Sequence, residues 1–420
     1  MKEIKLRRVL LYILLFGTML MFGLVENIRG VSLPLIRDEF DVPFERQGLM
    51  VSMLSFAFVV SNIIAGIFLG RFGIKPSILA GFSSICLGVV LVFFMPGFFS
   101  ITLALFTVFA GFGFLDIGMN ALASRAFVTK AALLMNLLHS FYGIGAIIGP
   151  QVAGFVVKNT EFDWRSVYLF SLPLVLLTFA LAIFARIPGS ERLSGNERFS
   201  RSRGFPKGGT QAGMENGNTG NKTEHKSFFD ALRTPMVWML AITLGIALVI
   251  EANTPNWGPL YFQDVYGLDP ATEGAAFLST FFVLFTLSRL ICGPFVERIG
   301  YVRSLLGVAV LTLVVFAVGF SMGARGIFVL PILGFLVGLF WPTMMAVAIV
   351  SFGRDAPVYA SAMIAIAGLV NTVVQFMVGL TNRFIGPAWG YRSTLVYTVL
   401  LIFVLLLLYR NLKRRKIGKI

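Results

Sequence analysis

The sequence predicts an all-α membrane protein whose twelve transmembrane helices form two pseudo-symmetric six-helix bundles. Three observations lead there. Of the 420 residues, 57% are hydrophobic and only 13% are charged, about half the charged share of a soluble domain, so lipid rather than water must solvate much of the surface. Twelve apolar windows are each long enough to span a bilayer as a helix, which takes about 20 residues. The second six windows also repeat the punctuation of the first at a constant offset.

The first window, residues 9–33, follows the start "MKEIKLRRVLLYILLFGTML". A basic start before an apolar run suits a signal peptide, but this run is too long and lacks a small-residue cleavage site. It reads as a retained helix. Windows at 46–69, 77–95, 100–123, 132–157 and 166–186 complete the first set. The second set lies at 235–259, 272–292, 304–322, 326–350, 358–380 and 391–410. Between them runs a stretch rich in Gly, Ser, Asn and charge, the composition of a solvated linker, with an amphipathic piece around Phe228–Leu232. The expected organisation is a first bundle over 1–186, a linker over 187–232, a second bundle over 233–412 and a basic tail over 413–420.

An offset of 227 carries Gly66, Arg71 and Gly73 onto Gly293, Arg298 and Gly300, Gly111 onto Gly338, and Arg165–Ser166 onto Arg392–Ser393. Duplicated six-helix halves are the pattern of carriers that rock two bundles about a central site.

Charge sets the orientation. With both termini on one side, that side holds 26 of the 35 Lys and Arg residues against 7 on the other, so the positive-inside rule makes both termini cytoplasmic in a multi-pass inner or plasma membrane protein. The net charge of +15 then requires no nucleic acid. The "KRRKIGK" tail is an anchor against anionic lipid. The expected partners are a small-molecule substrate and membrane lipids, and the chain is expected to act as a monomer. Cys86 and Cys292 both fall in apolar segments, against a disulfide framework. His139 and His225 are the sole histidines, too few for a His-based metal site. No Gly-Lys-Ser/Thr phosphate loop exists, so ATP is not the direct energy source. The chain is expected not to be an enzyme and to need no cofactor, with a proton gradient supplying the energy.

Few ionisable residues fall inside the windows: Glu26, Arg29, Asp116, His139, Glu251 and Arg289. Each mid-bilayer charge costs about 2.5–3.5 kcal/mol, so each is expected to face a cavity or a partner. Asp116 and His139 both fall in the inner half of adjacent helices and could meet. A carboxylate that loses its water shell holds a proton more readily. Asp116 could therefore load a proton from one side and release it to the other. It could equally fix helices through His139 or Asn120, or contact substrate. Glu26 has Arg29 one turn on, so a local ion pair competes with a coupling role. Glu251 occupies a similar depth in the second half. Arg289, near the inner end of the eighth window, reads as a gate residue or one whose head reaches back to the interface.

The loops "GIFLGRFGIKPS" and "GPFVERIGYVRS" resemble the loop signature of the major facilitator superfamily; the first copy has Gly70 where the family has an aspartate, and the second keeps Glu297. The resemblance implies that Arg71, Lys75, Glu297, Arg298 and Arg303 form a cytoplasmic charge network that latches the outward-facing state. Plain positive-inside residues are the alternative. The stretch "GFGFLDIGMNALAS" is similar to the fourth helix of the fucose-permease-like sugar:proton symporters, with Asp116 at the family's coupling acid and Asn120 at its Asn. In "MNLLHSFYGIGAIIGP", His139 stands where the family has a polar glutamine near the sugar. In "FGLVENIRG", Asn27 matches a polar Asn, while the family's first-helix acid falls on Gly30 and not on Glu26. "EANTPNWGPLYFQDVYGLDP" resembles the seventh helix of relatives that carry an acid and a Trp.

Asn27, Asn120, His139, Asn253, Asn371 and Gln375 offer donors and acceptors for a hydroxylated ligand, and Trp257 and Trp341 could stack on its apolar face. Any one of these amides could instead tie helices together. The expected function is a secondary active transporter working by alternating access, as a proton-coupled symporter of a sugar or similar small polar solute. "GAIIGPQVAG", a Gly-Pro pattern like that of proton-driven drug exporters, keeps a second reading open: export of small organic molecules. A transport-fold sensor that binds without turnover is a third.

Overall fold

In the absence of water, backbone N–H and C=O groups must pair within their own segment, so each apolar run becomes a helix. The computed structural model describes residues 2–127, 131–185, 187 and 228–415, and no strand occurs among them. Among the described residues, twelve helices are long and apolar enough to cross a membrane. In chain order they are α1 (Val9–Phe40), α2 (Phe44–Phe72), α3 (Ile74–Phe94), α4 (Phe98–Ala126), α5 (Leu134–Asn159) and α6 (Trp164–Phe184). The second half supplies α7 (Pro235–Tyr266), α8 (Pro270–Ile291), α9 (Tyr301–Ser321), α10 (Gly323–Phe352), α11 (Val358–Ile385) and α12 (Pro387–Arg414). The shortest have 21 residues, or about 32 Å at 1.5 Å per residue, enough for the hydrocarbon.

Most helices overrun the apolar windows at one or both ends. Polar end turns continue the ladder beyond the hydrocarbon, where hydropathy no longer reports them. The largest excess is in α1, which pauses at Ile28 between Lys2–Asn27 and Arg29–Phe40, and in α7, which continues past residue 259 to Tyr266. The amphipathic piece is a short helix, Phe228–Leu232. Residues 188–227 of the expected linker and 416–420 of the expected tail lie outside the described residues.

The repeat has structural content at two matched places. Gly73 and Gly300 each form the one-residue turn between two helices, with φ of 95° and 101°, in a region that side chains with a Cβ disfavour. Arg165 and Arg392 each tie the last helix of a half to the end of its first helix. Arg165 pairs with Glu39 at 2.6 Å, and Arg392 Nε donates to the Tyr261 hydroxyl at 3.2 Å. The partners differ while the brace is kept.

Within the first half α1 packs on α5 and α4 on both α2 and α3; within the second, α7 packs on α11 and α12, and α8 on α10. The halves meet along two seams, α2 with α11 and α5 with α8, which exchange under the repeat. Large apolar side chains such as Phe184, Phe328 and Phe384 are exposed on the outside, as suits a lipid-facing surface.

Candidate translocation cavity

A cavity of about 800 Å³ lies between the halves, a size that takes a small molecule. Its lining includes Ile67 on α2, Asn136 on α5, Phe228 and Ser361 on α11. All four lie near the face where α1 begins and α12 ends, the termini face, and the cavity reaches that face. In the other direction the lining stops mid-helix at Glu26, Gly143 and Gly368.

The far face is closed. Arg37 of α1 grips Asp264 of α7 with both Nη atoms, one of them at 2.6 Å. Arg383 of α11 pairs with Glu45 of α2, and Lys158 of α5 meets Asp269, just ahead of α8, at 3.2 Å. Gln263 donates to Asp38 at 2.5 Å. Backbones also approach closely there: a Cβ on Gly48 would sit 2.7 Å from the Gly379 Cα, and one on Gly379 would sit 2.6 Å from the Gly48 Cα.

The carboxylates proposed from sequence for proton coupling, Glu26, Asp116 and Glu251, all line the cavity. Glu26 is the most tied. It accepts from the Tyr142 hydroxyl at 2.7 Å and lies 3.7 Å from the Arg29 guanidinium. Asp116 accepts from the Asn120 amide, one turn on, at 2.9 Å. Asp116 and His139 share the cavity, but no hydrogen bond joins them among the described residues.

Of the candidate substrate contacts, Asn120, His139 and Trp341 line the cavity, whereas Asn27, Asn253, Trp257, Asn371 and Gln375 do not. The last four form a network within the second half. Gln375 accepts from the Trp257 indole at 2.8 Å and donates to Asn253 at 3.0 Å and to Asn371 at 3.1 Å. Asn253 donates onward to Thr394 on α12 at 3.1 Å. Trp257 is 1% exposed, which corrects its expected place against a ligand. Asn27 is likewise buried, donating to the Gly23 carbonyl at 2.8 Å. The physical reason is that a buried amide or indole N–H that cannot reach water must find a partner: Asn253, Trp257 and Gln375 find theirs on neighbouring helices, Asn27 on its own helix and at the Tyr142 hydroxyl, and half-buried Asn371 accepts from Gln375 one turn away.

The expected charge network at the termini face does not form either. Lys75 caps the end of α6, donating to the Ile183 and Ala185 carbonyls at 2.6 and 3.0 Å. Arg71 stacks over Phe72, Arg303 reaches the Tyr409 hydroxyl at 3.4 Å, and Glu297 and Arg298 are exposed. Among the described residues no ion pair joins any two of these five. Such a network needs the halves together on this face, and here the cavity opens between them. Arg289 stands in the cavity wall, apart from these five.

Sequence reasoning passed over Asn62, Asn136, Ser140, Tyr142 and Thr286, which also line the cavity. Asn62 was visible as an amide inside the apolar run of α2. Asn136, Ser140 and Gly143 share the α5 face of His139 at spacings of three and four, a stripe that the single His should have drawn attention to.

The chain matches the family model described as Major Facilitator Superfamily over residues 14–370. It is 23% identical to the multidrug efflux pump SdrM of Staphylococcus aureus over 43% of this chain and 40% of that protein. It is 21% identical to bypass of stop codon protein 6 of Saccharomyces cerevisiae over 66% of this chain and 55% of that protein. The matches thus span about half the length of these curated relatives. Among solved structures it superimposes on the E. coli fucose:proton symporter FucP with a TM-score of 0.61 at 17% identity, covering 94% of this chain and 97% of that one. A structure of FucP in the outward conformation gives 0.62 at 14% identity, covering 95% and 98%. With twelve spans in two repeated halves around a central cavity, and a family match over most of its length, this chain belongs to the Major Facilitator Superfamily of membrane transporters.

Proposed function

We propose that the protein is a secondary active transporter that works by alternating access and carries a sugar or similar small polar solute together with protons. One observation supports this above the rest: three membrane-embedded carboxylates share one cavity with amides, hydroxyls and a Trp. Asp116, Glu26 and Glu251 are the proton sites; Asn120, His139 and Trp341 hold the solute. Glu26 is already tied to Arg29 and Tyr142. Asp116, at the position that resembles the coupling acid of the fucose-permease-like symporters and with Asn120 as its hydrogen-bond partner, is the principal carrier. The likeness to a fucose:proton symporter supports the same reading at the level of fold.

In this reading the termini face is cytoplasmic, on the strength of its Lys and Arg excess, and the cavity is open to the cytoplasm. The energy source is the proton gradient, no cofactor takes part, the working unit is a monomer, and the membrane is the cell membrane. A second reading, proton-coupled export of small organic molecules, is favoured by the rings of Phe22, Phe58, Phe282 and Phe285 in the lining and by the partial match to a multidrug efflux pump.

Purified protein in liposomes separates them. Uptake of labelled monosaccharides under an imposed pH gradient, inside alkaline, is expected to exceed uptake without one. Accumulation of lipophilic cations instead, or sugar uptake indifferent to the gradient, would overturn the symport reading. Ligand-dependent thermal stabilisation with no flux for any solute would leave a sensor.

A further inference from the structure

Resting on the symport reading, we infer that the solute carries a carboxylate, as a sugar acid does, and that Arg289 is its counter-ion. Arg289 lines the cavity from α8 with its guanidinium 4.1 Å over the Phe285 ring. Its Nε is buried without a hydrogen-bond partner, and no carboxylate lies within ion-pair distance of it among the described residues. A cation held in this way between membrane helices is costly unless something pairs with it.

The charge of Glu251 reaches Arg289 across the cavity, but among the described residues no carboxylate bonds to the guanidinium directly. Glu26 is already held by Arg29 and Tyr142, and Asp116 by Asn120. Glu251 faces the same cavity but makes neither a hydrogen bond nor an ion pair. The stacked, planar guanidinium keeps its N–H edge free for a bidentate partner, the geometry that suits a carboxylate and that a neutral hydroxyl cannot match.

Neighbouring groups fit the rest of such a solute. The α5–α8 seam closes where Gly143 meets the Thr286 side chain. These helices run antiparallel, so His139 and Arg289 both lie about one turn from that contact towards the open face. A solute whose carboxylate sits on Arg289 would place its hydroxyls near His139 and Asn136, with Trp341 also on the wall. Its charge also explains the coupling. Beside Asp116 and Glu251 an anion is repelled while both are ionised. Protonation that supplies the driving force also removes the repulsion, so anion and proton enter together.

The test uses the full chain in liposomes under a pH gradient. Gluconate, glucuronate and galacturonate serve as acidic probes; glucose, galactose and fucose are their neutral counterparts. At least one acidic probe is expected to be taken up about tenfold or more better than its neutral counterpart, the worth of a charge-assisted hydrogen bond. Arg289→Gln should erase that preference, and Arg289→Lys should keep part of it. Equal or better uptake of the neutral sugars, or an acid preference that survives in Arg289→Gln, overturns the inference and leaves sugar symport standing. Uptake of neither series also overturns it; if lipophilic cations then accumulate, the symport reading falls as well. Should Arg289→Gln fail to fold, the wild-type preference and Arg289→Lys still decide.

Discussion

Two residues with polar groups in apolar helices, Asp116 and Trp257, separate into different roles once their surroundings are known. Asp116 opens on the cavity with one amide partner. Asp116→Asn keeps the shape and the Asn120 contact but cannot release a proton. Gradient-driven accumulation is expected to vanish while solute exchange across the liposome membrane continues, as counterflow of labelled solute would register. Accumulation at the wild-type level would remove Asp116 from the coupling path. Trp257 carries a different prediction. Trp257→Phe retains the ring but leaves Gln375 Oε1 with only the 3.3 Å contact from Asn256. It should cost about 0.5–1.5 kcal/mol of stability, the net worth of one buried hydrogen bond, lowering the thermal midpoint with solute affinity unchanged. A selective loss of affinity would restore it to the binding site. The sequence made the carboxylates legible because an acid in an apolar run is rare and costly. It could not separate the lining amides from the tying ones, since Asn120 and Asn253 are the same residue type in similar runs and differ only in which way their helix faces.

Helix ends carry the charge that holds the halves together, and their exposure ranks the pairs. The side chains of Arg37 and Asp264 are 18% and 10% exposed and doubly bonded; those of Lys158 and Asp269 are 58% and 35% exposed. An exposed pair contributes about 0–1 kcal/mol, whereas removing one partner of a buried pair costs several. Asp264→Ala is therefore expected to shift the population towards a form open on the far face by at least about tenfold, and Asp269→Asn hardly at all. Spin-label distances between the ends of α1 and α7 would report this, and equal effects from both changes would refute the ranking. The pH dependence has a definite sign. Burial raises the Asp269 carboxyl, but the Ala271 N–H, Lys158 and Thr272 outweigh it and hold the group below its ordinary range. Its contribution is therefore present above that range and is lost only as the pH falls through the depressed value. Sequence reading assigned the latch to the basic loops of the termini face. Those residues are charged as read, but a sequence does not record which face is closed.

At the scale of the molecule, the repeat dictates where the halves can touch. Arg37 and Asp264 are 227 positions apart, so the same place in each half meets its counterpart across the axis with opposite charge. Each seam also carries an acid near the start of one helix and a base at the end of the other: Glu45 with Arg383 on α2 and α11, Asp269 with Lys158 on α8 and α5. Only rigid halves rocking as units keep both seams matched. The far-face closure then depends on backbone contact as much as on charge, and Gly48 against Gly379 is where that contact is closest on the α2–α11 seam. A side chain there meets backbone, which cannot swing aside, so Gly48→Leu should wedge the seam open without disturbing either bundle, because a leucine suits an apolar helix. The expected variant is folded, monodisperse and unable to complete a cycle, with its far face accessible to thiol reagents at cysteines introduced near residue 45. Wild-type flux from Gly48→Leu, with those cysteines as protected as in the parent, would mean that α2 and α11 close by a different path from the one this seam describes.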